Sequence, residues 1–283
     1  MTYDARRPAP PLNTFIDWLY YSDGPMPYAN ERILPFPQID LKINLGPAIE
    51  VFGAGTDGPT RYADSWCVGL WDRHHIVNWP AVTQFIGVSF KPGGAHAFFR
   101  MPLSELHNQV VPLDAIWGSI ATEIRDRIAS APSREGRFDL LETLLCARLR
   151  DAAGNPGNGI GLVQAGLEEI ANHQGVLSIR ALSEQLNVSH KHLIALFNRA
   201  VGTAPKEVAR LHRFRHVLAS IEPRGPVDWT EIAHRSHFFD QPHFNNDFKL
   251  FTGLSPSRYL DLRRQVDAET PEHATYLREL PAT

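Results

Sequence analysis

The chain has 283 residues, of which 43% are hydrophobic and 21% charged, and its formal net charge is −3. This length is sufficient for two domains that each bury a core. No apolar run of about 18 residues is present, so we expect no membrane span, and residues 1–11 lack the apolar centre of a secretion signal. Two cysteines without CxxC spacing, Cys67 and Cys146, favour a reduced, cytoplasmic location over a disulfide framework.

The charge is unevenly distributed along the chain. Residues 176–264 contain 13 Lys and Arg against 8 Asp and Glu, a net charge of +5, together with 7 of the 13 histidines. The rest of the chain therefore has a net charge of −8. A basic segment joined to an acidic one favours a domain that binds a polyanion, although solvated helix faces are also often basic.

Residues 30–90 are predicted to form β-structure. The clearest strand is 38–45, in which polar and apolar residues alternate, and we expect one of its faces to be buried and the other to face water. Glycines and prolines separate it from further short strands, predicted at 49–53, 66–71, 75–79 and 84–90. Several short strands with such turns indicate an antiparallel barrel or sandwich.

The pattern then changes to helix. Apolar side chains three and four residues apart predict helices at 116–130 and 137–151, and residues 152–159 have the composition of a linker. We therefore predict an α+β fold. Residues 1–152 would form an antiparallel β-barrel or sandwich with accessory helices, residues 160–266 an all-α domain, and the tail that follows would be loosely ordered.

The all-α segment contains an internal repeat. Residues 189–205 align with residues 240–256 at a constant offset of 51. The matching pairs are Leu193 with Phe244, Phe197 with Phe248, Gly202 with Gly253 and Pro205 with Pro256. Each copy reads as a short helix, a tight turn and a longer helix. The repeat therefore predicts two helix-turn-helix units joined by one helix.

Local residues at the two turns support this interpretation. Asn187 and His237 stand where the turn needs a positive φ, which Asn and His tolerate better than most residues. Ser189 and Asp240 are suitable N-caps for the longer helices. A helix-turn-helix pair can also be only a packing motif, but two copies with polar outward faces on a basic segment favour DNA binding.

The outward faces of the two longer helices carry mainly amide, imidazole and cationic groups. Such groups form hydrogen bonds with base edges and phosphates, and helix N-termini attract phosphate. We expect the two helices to enter successive major grooves, roughly 34 Å apart. The predicted contacts are Ser189, His190, Lys191, Ile194, Asn198 and Arg199 in the first unit and Asp240, Gln241, His243, Asn245, Asn246 and Lys249 in the second.

Residues 177–264 resemble the DNA-binding domain of AraC/XylS-type transcription regulators. The residues that carry the resemblance are Leu182, Ser189, Leu193, Phe197, Gly202, Pro205, Arg213, Ile232, Ala233, Phe238, Asp240, Phe244, Phe248, Lys249, Gly253 and 255–259. The resemblance implies a transcription factor that binds double-stranded promoter DNA, with a homodimer and, for an activator, RNA polymerase as protein partners. The family commonly has Gly where Asn187 and His237 stand, and often Arg where Ala195 and Asn246 stand. These differences imply weaker intrinsic DNA binding or reliance on a dimer.

The N-terminal region resembles a poorly characterised domain that precedes this module in some family members. The similar segments are 31–35, 43–46, 88–94 and 111–113. The resemblance implies a sensor domain with dimerisation helices and a small-molecule effector of unknown identity. One hypothesis places this effector in an apolar pocket lined by Trp66, Trp71, Trp79 and Phe90; the other is that these aromatic residues only form the core.

The histidines and cysteines are the residues that could carry other chemistry. His74, His75 and His96 invite a metal site, but adjacent residues of a strand face opposite sides and no HxH with a following Glu is present, so we expect no metal and no cofactor. Cys67 is either a redox sensor or a buried small apolar residue. Without a GxSxG, HExxH or P-loop motif we predict no enzyme. The alternatives are a metal- or small-molecule-dependent enzyme domain fused to a DNA-binding module, and an N-terminal domain that only dimerises.

Overall fold

The structure, a computed structural model, describes residues 2–53, 58–152, 159–269 and 279–282. It confirms the predicted α+β class: an N-terminal antiparallel sandwich of two sheets with accessory helices is followed by an all-α part. The predicted linker at 152–159 lies almost entirely outside the described residues.

Eleven strands are found within the described residues. They are β1 (Thr2–Arg6), β2 (Ile16–Gly24), β3 (Asn30–Ile33), β4 (Asp40–Asn44), β5 (Ile49–Phe52), β6 (Thr60–Tyr62), β7 (Ser65–Val68), β8 (His75–Asn78), β9 (Thr83–Phe90), β10 (Val110–Pro112) and β11 (Glu279–Pro281). Six strands form one sheet in the order β1-β2-β9-β4-β7-β10, and five form the second in the order β11-β3-β8-β5-β6. The predicted strands appear as β4, β5, β7, β8 and β9, whereas β1 and β2 were not predicted.

Ten α-helices are described in the same ranges, besides three short 3-10 helices. They are α1 (Leu113–Trp117), α2 (Ser119–Ala129), α3 (Arg134–Ala152), α4 (Ile160–Asn172), α5 (Ile179–Gln185), α6 (His190–Ala200), α7 (Pro205–Ser220), α8 (Trp229–Arg235), α9 (Gln241–Thr252) and α10 (Pro256–Glu269). The helix predicted at 116–130 is interrupted at Gly118, whose φ of +65° separates α1 from α2.

The central strands β4, β7 and β9 of the six-stranded sheet are mostly buried on both faces, and successive side chains of each strand point to opposite sides. Leu41 and Ile43 of β4 are fully buried in the core that the helices cover. The polar residues that alternate with them point towards the other sheet. The expectation that this face meets water is wrong, since Asp40 and Asn44 are only 4% and 2% exposed.

The helix-covered core joins the two parts of the chain. One cluster of buried apolar side chains runs from β4 and β9 through Leu103 and Leu106 to Phe197 and Phe214. A large apolar side chain that becomes fully buried contributes about 1.5–3 kcal/mol. The helix-turn-helix part is therefore packed against the sandwich as well as connected to it.

Strand β11 belongs to the N-terminal sandwich although it follows the helical part. Leu280 is fully buried and stands opposite Arg32 of β3, and the N–H of Ala282 donates to the carbonyl of Asn30 at 2.9 Å. The expectation of a loosely ordered tail is therefore wrong for residues 279–282, and its residues 270–278 lie outside the described part of the chain.

Cys67 of β7 lies in the helix-covered core with no exposed surface. Burial and the nearby negative charge of Asp40 raise the pKa of its thiol well above the usual range. Reactive thiols need a thiolate and access, so this environment fits the buried apolar role better than the redox sensor.

We predict that a disulfide reagent labels Cys146, which is half-buried, and leaves Cys67 unmodified while the protein is folded. A thiol assay at pH 8 should count one reactive group in buffer and two in denaturant. In Cys146→Ser the reaction in buffer should disappear. Two thiols that react equally fast in buffer would contradict the buried position of Cys67.

Candidate nucleic-acid interface and interior cavity

The first helix-turn-helix unit consists of α5 and α6. The Ser178 hydroxyl caps α5 by accepting from the N–H of Ala181 at 3.3 Å, and Ser189 caps α6 by accepting from the N–H of His192 at 3.2 Å. Asn187 in the turn has a φ of +54°, as predicted. The side of α6 that carries Leu193 is fully buried, so the helix can present only its other side.

The second unit, α8 and α9, repeats these features. The Asp240 carboxylate caps α9 by accepting from the N–H of His243 at 2.8 Å, and His237 in the turn has a φ of +56°, again as predicted. Phe244 and Phe248 form the buried side of α9, each 1% exposed. The internal repeat therefore corresponds to two units with the same local construction.

Helix α7 fixes the position of α9. The guanidinium of Arg210 donates to Asp247 of α9 at 2.8 Å and to Glu207 at 2.6 Å, while Phe214 packs against Phe251 with ring centroids 4.7 Å apart. Asp247 is only 8% exposed. Removing one partner of a fully buried ion pair costs about 3–5 kcal/mol; the Arg210 side chain is 22% exposed, so this contact contributes less, and it stabilises the packing of α9 against α7.

Most of the predicted DNA contacts lie at the surface. The exposed ones are Ser189, His190, Lys191, Arg199, Asp240, Gln241, His243, Asn245, Asn246 and Lys249. Ile194 and Asn198 of α6 are half-buried, and the side-chain oxygens of Ser189 and Asp240 are used as caps. The Gln241 amide oxygen accepts from the Thr230 hydroxyl at 3.1 Å. Both units thus present exposed polar groups, more fully on α9.

Phe239 was not predicted to take part in this surface. It precedes the N-cap of α9 and is 92% exposed, more than any other large apolar residue reported for the described chain. The sequence already shows a large apolar residue directly before the N-cap of a helix, and this position could have marked Phe239 as part of the surface.

The N-terminal part contacts the end of each longer helix. The Arg32 guanidinium of β3 donates to the carbonyl of Thr252 at 3.3 Å, and a Cβ on Gly253 would lie 2.5 Å from the ring of His74. His96 lies beside Arg199 of α6. Burial, with the positive charges of Arg32 and Arg73, lowers the pKa of His74, and burial and Arg199 lower the pKa of His96.

A cavity with a volume of about 220 Å³ lies between the two sheets. Its walls are mostly aromatic and branched apolar side chains from eight strands. They are accompanied by Glu31, Asp40, Lys42 and His75, which are the polar residues of the inward faces of β3, β4 and β8. Glu31 and Asp40 are 1% and 4% exposed, so these two acidic side chains lie inside the sandwich.

The four aromatic residues predicted to line a pocket are placed differently from one another. Trp66 and Trp79 line the cavity. Trp71 lies against the ring of His75, with centroids 4.3 Å apart, and is not part of the lining. Phe90 points to the opposite face of β9 and packs on Phe98, because its position in the strand is out of phase with that of the cavity residues.

Among the residues that the structure describes, no group of three or more His, Cys, Asp and Glu side chains could hold a metal ion. The three histidines considered earlier are separated: His75 lines the cavity, whereas His74 and His96 face the two helix-turn-helix units. In the same described ranges, no helix is long and apolar enough to cross a membrane.

Comparison with known families assigns both parts of the chain. Residues 182–262 match the family described as helix-turn-helix domain, which is of the AraC type. Residues 5–112 match the family described as domain of unknown function (DUF6597). No curated protein matches the chain.

Solved structures of ToxT from Vibrio cholerae are similar to the chain at low identity. One, at 1.65 Å resolution, has 7% identity and a TM-score of 0.47 and covers 86% of this chain and 98% of ToxT. A ToxT structure from strain O395 has 8% identity and a TM-score of 0.45, with coverage of 86% and 97%. A third, bound to (E)-4-(8-methylnaphthalen-1-yl)but-3-enoic acid, has 8% identity and a TM-score of 0.45, with coverage of 86% and 98%.

The two capped units and the family match define a DNA-binding transcription regulator. More specifically, the chain carries an AraC-type helix-turn-helix domain preceded by a DUF6597 domain. Regulators of this type are in general not enzymes.

We predict that His237→Gly raises the free energy of unfolding by about 1 kcal/mol, because glycine adopts the left-handed conformation without the steric cost that a side chain incurs. The matched control is His234→Gly in α8, where glycine should cost about 1 kcal/mol. Urea unfolding of both variants measures the difference. A loss of stability in His237→Gly as large as that in the control would contradict the turn geometry.

The lowered pKa values of His74 and His96 predict acid sensitivity. Both histidines bind protons more readily when unfolded, so their contribution to stability is complete above about pH 6.5 and is lost as the pH falls towards the lowered values. Burial and the positive charge of Arg215 lower the pKa of His212 to about 4. This histidine therefore affects stability in the same direction. Thermal unfolding between pH 5 and 8 should show less pH dependence in His74→Gln and His96→Gln than in the parent, and an unchanged dependence would refute this.

Proposed function

We propose that α6 and α9 are recognition helices that read successive major grooves of promoter DNA. The observation that carries this proposal is the pair of capped helices whose exposed polar faces are joined by α7 and the Arg210–Asp247 contact. Phosphates are the proposed partners of His190, Lys191, Arg199, His243 and Lys249, and base edges those of Ile194, Asn198, Gln241, Asn245 and Asn246. Ser189 and Asp240 would hold the helix N-termini in place.

We also propose that the protein acts as a cytoplasmic homodimer and contacts RNA polymerase where it activates. Ala195 and Asn246, both exposed, stand where the resembling family often has Arg. One chain therefore offers fewer cationic contacts, and a second chain on an adjacent half-site would restore affinity. The division into residues 1–152 and 160–266 is part of the same proposal, with the correction that β11 adds residues 279–281 to the first part.

The N-terminal domain is proposed to sense a small molecule in the cavity between its sheets. The supporting observation is the cavity of about 220 Å³ between the sheets, whose walls are mostly apolar and carry a few polar side chains, because small-molecule sites typically combine these features. The proposal contains no catalytic step, since a regulator of this type acts by binding.

Lys191→Ala and Lys249→Ala should each weaken binding of the full chain to DNA from its own genomic neighbourhood. The slope of log affinity against log salt concentration is negative, and each lost phosphate contact should reduce its magnitude by about 0.9. The matched control is Arg127→Ala, which removes one positive charge from α2 in the N-terminal domain. Gel-shift titrations at several salt concentrations give the slopes, and no binding at low salt to any fragment would overturn the proposal.

Asn245→Ala should instead change the preference between DNA sequences. Loss of a base contact costs about 1–3 kcal/mol at the base pair concerned and little elsewhere. Selection from a randomised site should show relaxed preference at one position in this variant. An equal loss for all sequences would place Asn245 on phosphate.

A further inference from the structure

The turn of the second helix-turn-helix unit is one residue longer than that of the first. In the first unit only Val188 stands between the residue with positive φ and the N-cap of the longer helix, whereas in the second unit both Phe238 and Phe239 do. The N–H of Val188 donates to the carbonyl of Ser183 at 3.0 Å, and that of Phe238 donates to the carbonyl of Ala233 at 3.0 Å. Phe238 is therefore the counterpart of Val188, and Phe239 is the additional residue.

The packing of this turn is completed by Phe238. Its ring centroid lies 5.2 Å from that of Phe244, and the guanidinium carbon of Arg213 lies 4.6 Å from the centre of the same ring. Many helices begin with a contact between the residue before the N-cap and the fourth residue of the helix, which here would join Phe239 to Phe244. Phe238 makes that contact instead, and Phe239 is 92% exposed. The fold of the unit therefore does not require a large apolar side chain at position 239.

Phe239 lies at the N-terminal end of α9, which is the end that a recognition helix turns towards base edges. The exposed Gln241 and His243 follow within four residues. The Asp240 carboxylate accepts from the N–H of His243 at 2.8 Å, so this acidic group is directed at the helix backbone. When α9 enters a major groove, the ring of Phe239 is carried to the DNA together with these polar side chains.

The chemistry of a phenyl ring selects its partner in the groove. The ring has no hydrogen-bond donor with which to contact a phosphate or the polar part of a base edge. The apolar group that the major groove presents is the C5-methyl of thymine, and phenylalanine is among the side chains that contact it. An apolar contact of this kind distinguishes thymine from the other bases.

We propose that Phe239 is a specificity-determining residue, whose ring packs against the C5-methyl group of a thymine in the major-groove site of α9. This inference rests on the proposed function, in which α9 is a recognition helix.

Selection of binding sites from a randomised duplex tests the contact on the full chain. Phe239→Ala should lose the preference for thymine at one position and keep the preferences at the others. The matched control is Val82→Ala, which shortens an exposed apolar side chain in the loop before β9, and it should select the same sequence as the parent. Because Phe239 is so exposed, the urea midpoint of Phe239→Ala should equal that of the parent, which verifies that the variant is folded.

Deoxyuridine at the selected position removes only the methyl group of the thymine. Burial of one such group is worth about fourfold in affinity, so the parent should bind the deoxyuridine duplex about fourfold less tightly than the thymine duplex. Phe239→Ala should bind the two duplexes equally. Phe239→Leu keeps an apolar side chain and should still prefer thymine. Gel-shift titrations at one salt concentration give these affinities.

An unchanged thymine preference in Phe239→Ala overturns the proposal, as does a parent that binds both duplexes equally. A folded variant that binds DNA as the parent does but activates transcription less places the ring against a protein, which also overturns it. If the parent binds no duplex at low salt, the proposed function fails as well. A parent that binds and shows the expected salt slopes, without the methyl effect, overturns only the thymine contact, so the two failures are distinguishable.

Discussion

The six-stranded sheet contributes side chains to two different interiors, the helix-covered core and the cavity between the sheets. The rest of the structure depends on this constraint. Each strand gives alternate side chains to opposite faces. Leu41 and Ile43 on one face support the helices and, through them, the helix-turn-helix units. Asp40 and Lys42 on the other face belong to the cavity between the sheets. One backbone therefore positions both the DNA-binding part and the proposed effector site.

Local rules predicted the helical part well and the sandwich less completely. Caps and positive-φ turns, as at Ser189 and Asn187, depend on neighbouring residues alone, so the sequence contains the whole signal. Strand β2 has bulky residues on both faces, including Trp18, Leu19, Tyr20 and Tyr21. The alternation of apolar and polar residues that marks a strand is therefore not visible in its sequence. Pairing of β11 with β3 joins residues about 250 positions apart and follows from no local pattern.

The cavity shows why the candidate site could be predicted only in part. Alternation in residues 38–45 correctly separated two faces but did not show what opposes the polar one. Aromatic content selected Trp66 and Trp79 correctly, yet Phe90 instead of Phe85, because a strand reverses the direction of its side chain within one residue. Glu31 was recognised only as part of a family resemblance, since its burial depends on a second sheet that is distant in sequence.

Strand β11 makes the N-terminal sandwich a discontinuous domain with the helix-turn-helix units inserted into it. Without β11, the backbone groups of β3 would form an open sheet edge, which invites pairing with other chains. Glu31 in the cavity and Arg32 at the end of α9 are neighbours on this same strand. If a ligand in the proposed effector site shifts β3, it also shifts this contact with α9, and any change that the ligand causes in DNA affinity must equal the change that DNA causes in the affinity for the ligand.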